Sequence, residues 1–290
     1  MTGDGRAPAG EGGGPLRWDD SAGVPLLRAA PWREAWPGFW AAFSTRLGGV
    51  GTPPYHSLNL GRGVGDEPRR VARNTDRFLA AALPPGLDHP VYMVRQVHGA
   101  HIARADRDPV EWSWHTPAGR RLHSLGAADG IAAGRGRFLM IRYADCVPIL
   151  LTAPGAQVTA VVHAGWRGTA AGAARAAVDA LGRHYGVEPE DIHAVIGPAI
   201  GPCCYQVDEP VAEAVGAPLP DAGRVVHPGG GGKYLLDLAL ANAQLLAAAG
   251  VPEGQILQSG LCTACRPQWF FSHRGEGGRT GRMALVAGWL

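Results

Sequence analysis

Three side chains in this 290-residue sequence are suited to hold one metal ion: His98, Cys146 and His163. Two neutral imidazoles and a thiolate form a borderline-soft donor set that suits Zn²⁺, and three protein ligands leave the fourth tetrahedral position to water or substrate. An open site of that kind implies catalysis, because zinc lowers the pKa of a bound water from 15.7 to about 7. The spacing matches no local zinc pattern: 48 positions separate His98 from Cys146, and 17 separate Cys146 from His163. Taken singly, each residue has an ordinary structural reading, a Cys in an apolar run as a small core residue and a His at a strand end as a hydrogen-bonded one. The same residues also suit a metal-free hydrolase, with Cys146 as nucleophile and His163 or His98 as base.

The neighbours extend the set. Asp145, beside Cys146, is expected either to orient a histidine or to accept a proton. Gly165–Gly168 reads as a turn into a helix, where free N–H groups and the Arg167 guanidinium suit a phosphate. Arg46, Asn59, Gln96 and Arg167 form the candidate substrate-binding set; each also has a plain loop or turn reading. Cys262 and Cys265 form a CxxC, and Cys203 and Cys204 are adjacent. A zinc held by these four thiolates is conceivable, but neighbouring strand residues point to opposite faces. The expectation is that they fill the core without metal.

The positioning elements follow from periodicity. A helix is expected over 68–83, with Pro in its first turn and Val71, Phe78, Leu79 and Ala82 near one face. Residues 138–151 read as two buried strands meeting at a polar break, Ala144-Asp145-Cys146. Strands are expected at 91–94, 158–163, 193–196, 256–261 and 283–289, and helices over 169–185 and 236–249. His98, Cys146 and His163 then all lie at strand ends, where functional groups gather. The mixture predicts an α/β or α+β fold.

Composition sets the limits. Apolar residues make up 46% and charged residues 18%, which fits a soluble globular enzyme. A formal net charge of +2 with scattered arginines provides no basic stripe for nucleic acid. No run approaches the roughly 20 apolar residues of a membrane span, and the Gly-rich start lacks the apolar middle of a secretory signal. Five cysteines are an odd number for a disulfide framework and fit a reducing cytoplasm. Residues 1–24 are poor in large apolar side chains and are expected to form a disordered extension, leaving 25–290 as a single catalytic domain.

Taken in order, TRLGGV (45–50), SLNLG (57–61), VGDEP (64–68), RQVHG (95–99), ADG (128–130), ADCVPI (144–149), HAGWRG (163–168), IGPAIGPCCYQV (196–207), CTAC (262–265), FFSHR (270–274) and TGRMA (280–284) resemble the laccase-domain or "polyphenol oxidase" proteins. These are described as zinc-dependent purine nucleoside phosphorylases and are also named peptidoglycan editing factors. The resemblance implies a layered sandwich of mixed sheets flanked by helices, like that of cysteine deamidases. It implies zinc on His98, Cys146 and His163, and phosphorolysis of adenosine, inosine or methylthioadenosine together with adenosine deamination. Phenol oxidation and editing of peptidoglycan precursors remain open alternatives. Copper is disfavoured by four methionines and the absence of a cluster of paired histidines. Ala199 stands where relatives commonly carry a further Cys.

Overall fold

Val147–Ala153 and Val158–Ala164 are buried at every position, and strands without a polar face must be covered on both sides. In the computed structural model, which describes residues 15–87 and 89–290, they form the centre of a six-stranded sheet. Its order is Ile256–Gln258, His193–Ile196, Val147–Ala153, Val158–Ala164, Gly130–Ala133 and Ile102–Arg104. An eight-stranded sheet lies against it, in the order Arg17–Asp19, Leu26–Arg28, Phe39–Ser44, Met283–Trp289, Phe138–Tyr143, Val91–Arg95, Arg121–Ala127 and Trp112–His115. A small sheet of Gln206–Val207, Lys233–Leu236 and Val226–Gly230 stands apart from both.

Side-chain alternation along the strands builds the layers. Leu150, Val161 and Val195 pack with Phe43, Ile141 and Leu285 of the larger sheet. Their neighbours Ile149, Leu151 and Val162 point the other way, onto Ala174, Ala177 and Leu181 of the helix Ala173–Tyr185 and onto Leu246 of the helix Leu238–Ala248. The outer face of the larger sheet is covered by the helix Pro68–Ala82, whose Phe78 and Leu79 meet Ala42, Met140 and Val286. Each such large apolar side chain contributes about 1.5–3 kcal/mol through burial. The result is a mixed α/β layered sandwich: periodicity indicated the α/β mixture and the family resemblance implied the layers.

The polar break at Ala144–Cys146 is where the chain leaves one sheet for the other. Phe138–Tyr143 pairs with Met283–Trp289 in the larger sheet, whereas Val147–Ala153 pairs with Val158–Ala164 in the smaller one.

Two expectations need correction. The turn expected over Gly165–Gly168 is helical from Trp166 to Ala170. The break comes at Gly172, whose φ of 77° is the left-handed conformation that glycine adopts without strain. The extension expected over residues 1–24 lies outside the described residues through Gly14. From Pro15 onward it belongs to the fold: Arg17–Asp19 pairs antiparallel with Leu26–Arg28, and Leu16 and Val24 are buried. A few apolar residues suffice there because the strand borrows an existing sheet edge.

Candidate metal centre

Cys146 lies in the bend immediately before the strand Val147–Ala153 that follows the sheet crossing. Asp145 before it takes a left-handed φ of 81°, a conformation Asp tolerates better than most residues. Three hydrogen bonds hold it there: Thr263 Oγ1 donates to one carboxylate oxygen at 2.6 Å, the Arg274 N–H donates to the other at 2.6 Å, and the Ile200 N–H donates to its carbonyl at 3.0 Å. Both carboxylate oxygens are thus used, and neither meets a histidine. Asp145 positions Cys146 through the backbone, and the expectation that it orients a histidine is corrected.

That task falls to Asp129, which lies at the end of the loop before Gly130–Ala133 and is fully buried. Its carboxylate accepts the ring nitrogen Nδ1 of His163 at 3.0 Å. It also accepts three consecutive backbone N–H groups, those of Val97, His98 and Gly99, at 3.2, 2.9 and 2.6 Å. These N–H groups form a small anion-binding concavity, which fixes His98 at its own left-handed φ of 62°. The Asp129 carbonyl accepts the His163 N–H at 2.7 Å. One carboxylate therefore holds both histidines. Its chemistry was not visible in the sequence, where its place in the ADG element (128–130) was the only signal.

The outcome is convergence. The ligand atoms of His98, Cys146 and His163 lie within 4.8 Å of one another, and the two imidazole rings stand edge to face with centroids 5.0 Å apart. Gly165 has no side chain to intrude: a Cβ there would lie 2.8 Å from the Cys146 sulfur and 3.3 Å from the His98 ring. Burial would raise the Cys146 thiol, but the His163 imidazole, with His98 beside it, outweighs burial and holds it down to about 6. Burial likewise opposes charge on His163, yet the Cys146 thiolate and then Asp129 lift it to about 9. The site is built to keep Cys146 as a thiolate, the form that binds metal.

His98, exposed, and Cys146 face two adjoining cavities. The first, of about 420 Å³, is also lined by Arg62, Arg95, Gln96, Arg142, His163 and Arg282. Burial, and then the charges of Arg62 and Arg282, bring the Arg142 guanidinium down to about 10; burial also lowers Arg282. Mutually repelling guanidinium groups next to the His98, Cys146 and His163 cluster make this cavity electropositive. The second cavity, of about 270 Å³, adds Asp145, Trp166, Arg167, Tyr205 and Arg274.

The candidate substrate residues divide. Gln96 lines the first cavity, but its amide pairs with the backbone of Arg142, donating to O at 2.6 Å and accepting from N at 3.0 Å. Asn59 is fully buried and accepts the N–H groups of Gly61 and Arg282 at 2.8 and 2.9 Å. Both therefore position arginines. Arg167 is exposed in the second cavity, its guanidinium 4.2 Å from the Trp166 ring. Arg46 is the correction: it bonds the carbonyls of His56 and Pro267 at 2.9 and 2.8 Å, pairs with Glu276 at 3.1 Å and covers the Phe271 ring. Its donors are committed to the fold. Arg62, Arg142 and Arg282 were missed because nothing in their spacing marks them.

Of the four other cysteines expected to fill the core, Cys262 is buried as expected and the others are not. The sulfurs of all four converge within 4.8 Å, and Cys203 and Cys265 are exposed rather than core residues. Cys203 and Cys204 lie in a turn, not a strand, so the argument from alternating faces does not apply to them.

Residues 40–289 match the family described as multi-copper polyphenol oxidoreductase laccase. A protein of Geobacillus stearothermophilus named purine nucleoside phosphorylase YlmD is 40% identical over 256 residues, 86% of this chain and 89% of that protein. One named adenosine deaminase RL5, from an unknown prokaryotic organism, is 36% identical over 83% of this chain and 90% of its own length. The crystal structure of the Bacillus licheniformis hypothetical protein YfiH superposes with a TM-score of 0.82 at 35% identity, covering 94% of this chain and 99% of that one. With that match across nearly the whole described fold, the loops carrying His98, Cys146 and His163 included, the chain belongs to the family of multi-copper polyphenol oxidoreductase laccases.

Proposed function

We propose that this chain is a zinc-dependent purine nucleoside phosphorylase that also deaminates adenosine, with His98, Cys146 and His163 as the metal ligands. The observation that carries this reading is the meeting, in one cavity, of the three-ligand cluster with Arg62, Arg142 and Arg282. Guanidinium forks match phosphate oxygens, and phosphorolysis requires a phosphate held beside the nucleoside. The names of the two relatives supply the substrate class.

The donor set fits zinc. Two His and one Cys suit a single copper as well, but among the described residues no cluster of paired histidines that could hold several coppers accompanies them. When bound, zinc supplies Lewis acidity, stabilising developing negative charge and making a water acidic near neutral pH. The chain's own residues do the rest. Asp129 accepts from Nδ1 of His163, which leaves Nε2 to face the cluster. The arginines hold phosphate against C1′ of the nucleoside; as the phosphate oxygen bonds to C1′, the bond from C1′ to the purine breaks and the base leaves.

Small-molecule nucleoside and phosphate are therefore the substrates. Among the described residues no helix is long and apolar enough to cross a membrane, and the five free thiols suit a reducing cytoplasm.

A metal-free Cys–His hydrolase is the second reading, favoured by the order Cys146, His163, Asp129, which is that of a nucleophile, its base and the group orienting the base. Incubating the purified protein with adenosine or inosine, with and without phosphate and chelator, separates the two. Phosphate-dependent formation of free base and ribose 1-phosphate, lost on chelation, supports the phosphorylase. Turnover that ignores both phosphate and chelator supports the hydrolase.

A further inference from the structure

Apart from the cluster just described, the described residues contain one other group of side chains able to share a metal: Cys203, Cys204, Cys262 and Cys265. None of the four lines either cavity at the first centre. They come from two segments, the turn after Ile200 and the turn after Leu261, and the backbone joins these segments directly. Ala199 N–H donates to Leu261 O at 3.2 Å, and Thr263 N–H donates to Ala199 O at 3.0 Å. The four sulfurs are thus brought together by the fold on both sides.

The geometry points to a closed four-thiolate zinc site on these cysteines, structural in role and separate from the His98, Cys146 and His163 centre. The sulfurs of Cys203 and Cys204 each lie 3.4 Å from that of Cys265. Zinc–sulfur bonds of about 2.3 Å place tetrahedral sulfurs about 3.8 Å apart, whereas a disulfide would bring two of them to about 2.05 Å. Small movements suffice for the first. The Cys262 sulfur accepts the Gly201 N–H at 3.2 Å, an interaction that favours its thiolate form. Gly201 leaves room: a Cβ there would lie 3.3 Å from the Cys203 sulfur and 3.3 Å from Cys262 Cβ. Four soft sulfur donors, deprotonated on binding the metal, would leave no open position, which defines a structural rather than a catalytic zinc.

The site has a connection to the first centre. Thr263, inside the CxxC, donates to the Asp145 carboxylate, and Ile200, just before the Cys203 turn, donates to the Asp145 carbonyl. Closing the four thiolates on zinc clamps the two segments that hold Asp145 in its left-handed conformation, and Asp145 sets Cys146.

Metal analysis of untagged protein purified under reducing conditions tests this, together with zinc X-ray absorption of the same sample. The expected result is two zinc per chain, with an average between two and three sulfur ligands per zinc. Cys265→Ser should lose one zinc and lower the melting temperature, while Cys146→Ala should lose the other. If Cys146→Ala and wild type both hold one zinc that Cys265→Ser loses, this inference stands and the reading of the first centre fails. One zinc per chain with a single sulfur ligand, lost in Cys146→Ala, would overturn the inference; so would iron in place of the second zinc, or a Cys203–Cys265 or Cys204–Cys265 disulfide in the reduced protein's place. The absorption measurement needs no variant to fold.

Discussion

The Asp129 carboxylate accepts the His163 ring N–H at 3.0 Å while also accepting the His98 backbone N–H at 2.9 Å. Removing its charge should therefore loosen two metal ligands at once. Asp129→Asn is expected to weaken zinc binding about 10- to 100-fold, read by competition with a chromogenic chelator. Unchanged affinity would show that the histidines hold their places without it.

Arg62 lines the cavity, whereas Arg46 is tied to Glu276 and to backbone carbonyls. Arg62→Met should raise the KM for phosphate about 10- to 100-fold, the loss of a charged hydrogen bond, with little change in the KM for nucleoside. Arg46→Met should lower the melting temperature instead. A reversal of these two phenotypes would return the phosphate site to Arg46.

Cys146 is held down to about 6, so in metal-free protein the thiolate forms as pH rises through that value. Alkylation of Cys146 by iodoacetamide, followed by peptide mass spectrometry, should level off above pH about 7, whereas an ordinary thiol continues to gain rate toward its pKa of about 8.5. Added zinc should protect the sulfur. A Cys146 rate still rising beyond pH 8 would remove the basis for a preformed thiolate.

Leu16 and Val24 are buried, and Asp19 pairs with Arg28, whose guanidinium also bonds the Ala82 carbonyl at 3.1 Å. Deleting residues 1–24 should lower the melting temperature by about 5 °C or more, from about 1.5–3 kcal/mol per lost apolar side chain. Deleting residues 1–14 alone should leave it unchanged, on the composition argument that applied to the whole segment. Equal effects of the two deletions would show that Arg17–Asp19 adds nothing.

Local pattern made some of this legible and long-range contact hid the rest. The polar break at Ala144–Cys146 stood out because Phe138–Tyr143 and Val147–Ala153 are continuous apolar runs on either side. His98 and His163 were recognisable at the ends of β-type runs. By contrast, Arg62, Arg142 and Arg282 meet only after three distant segments fold, and no spacing encodes that. Asp129 was given no role from the sequence; it emerges only where four hydrogen bonds converge on it. The Cys203–Cys204 pair was misread because a rule for strands was applied to residues in a turn.

The central claim is that His98, Cys146 and His163 hold the zinc on which nucleoside turnover depends. Zinc content and phosphate-dependent release of purine base, measured side by side on wild type and on folded Cys146→Ala, test it most directly. Zinc should fall by one equivalent per chain, and turnover should fall with it to background. Wild-type zinc content together with full turnover in Cys146→Ala would contradict the account.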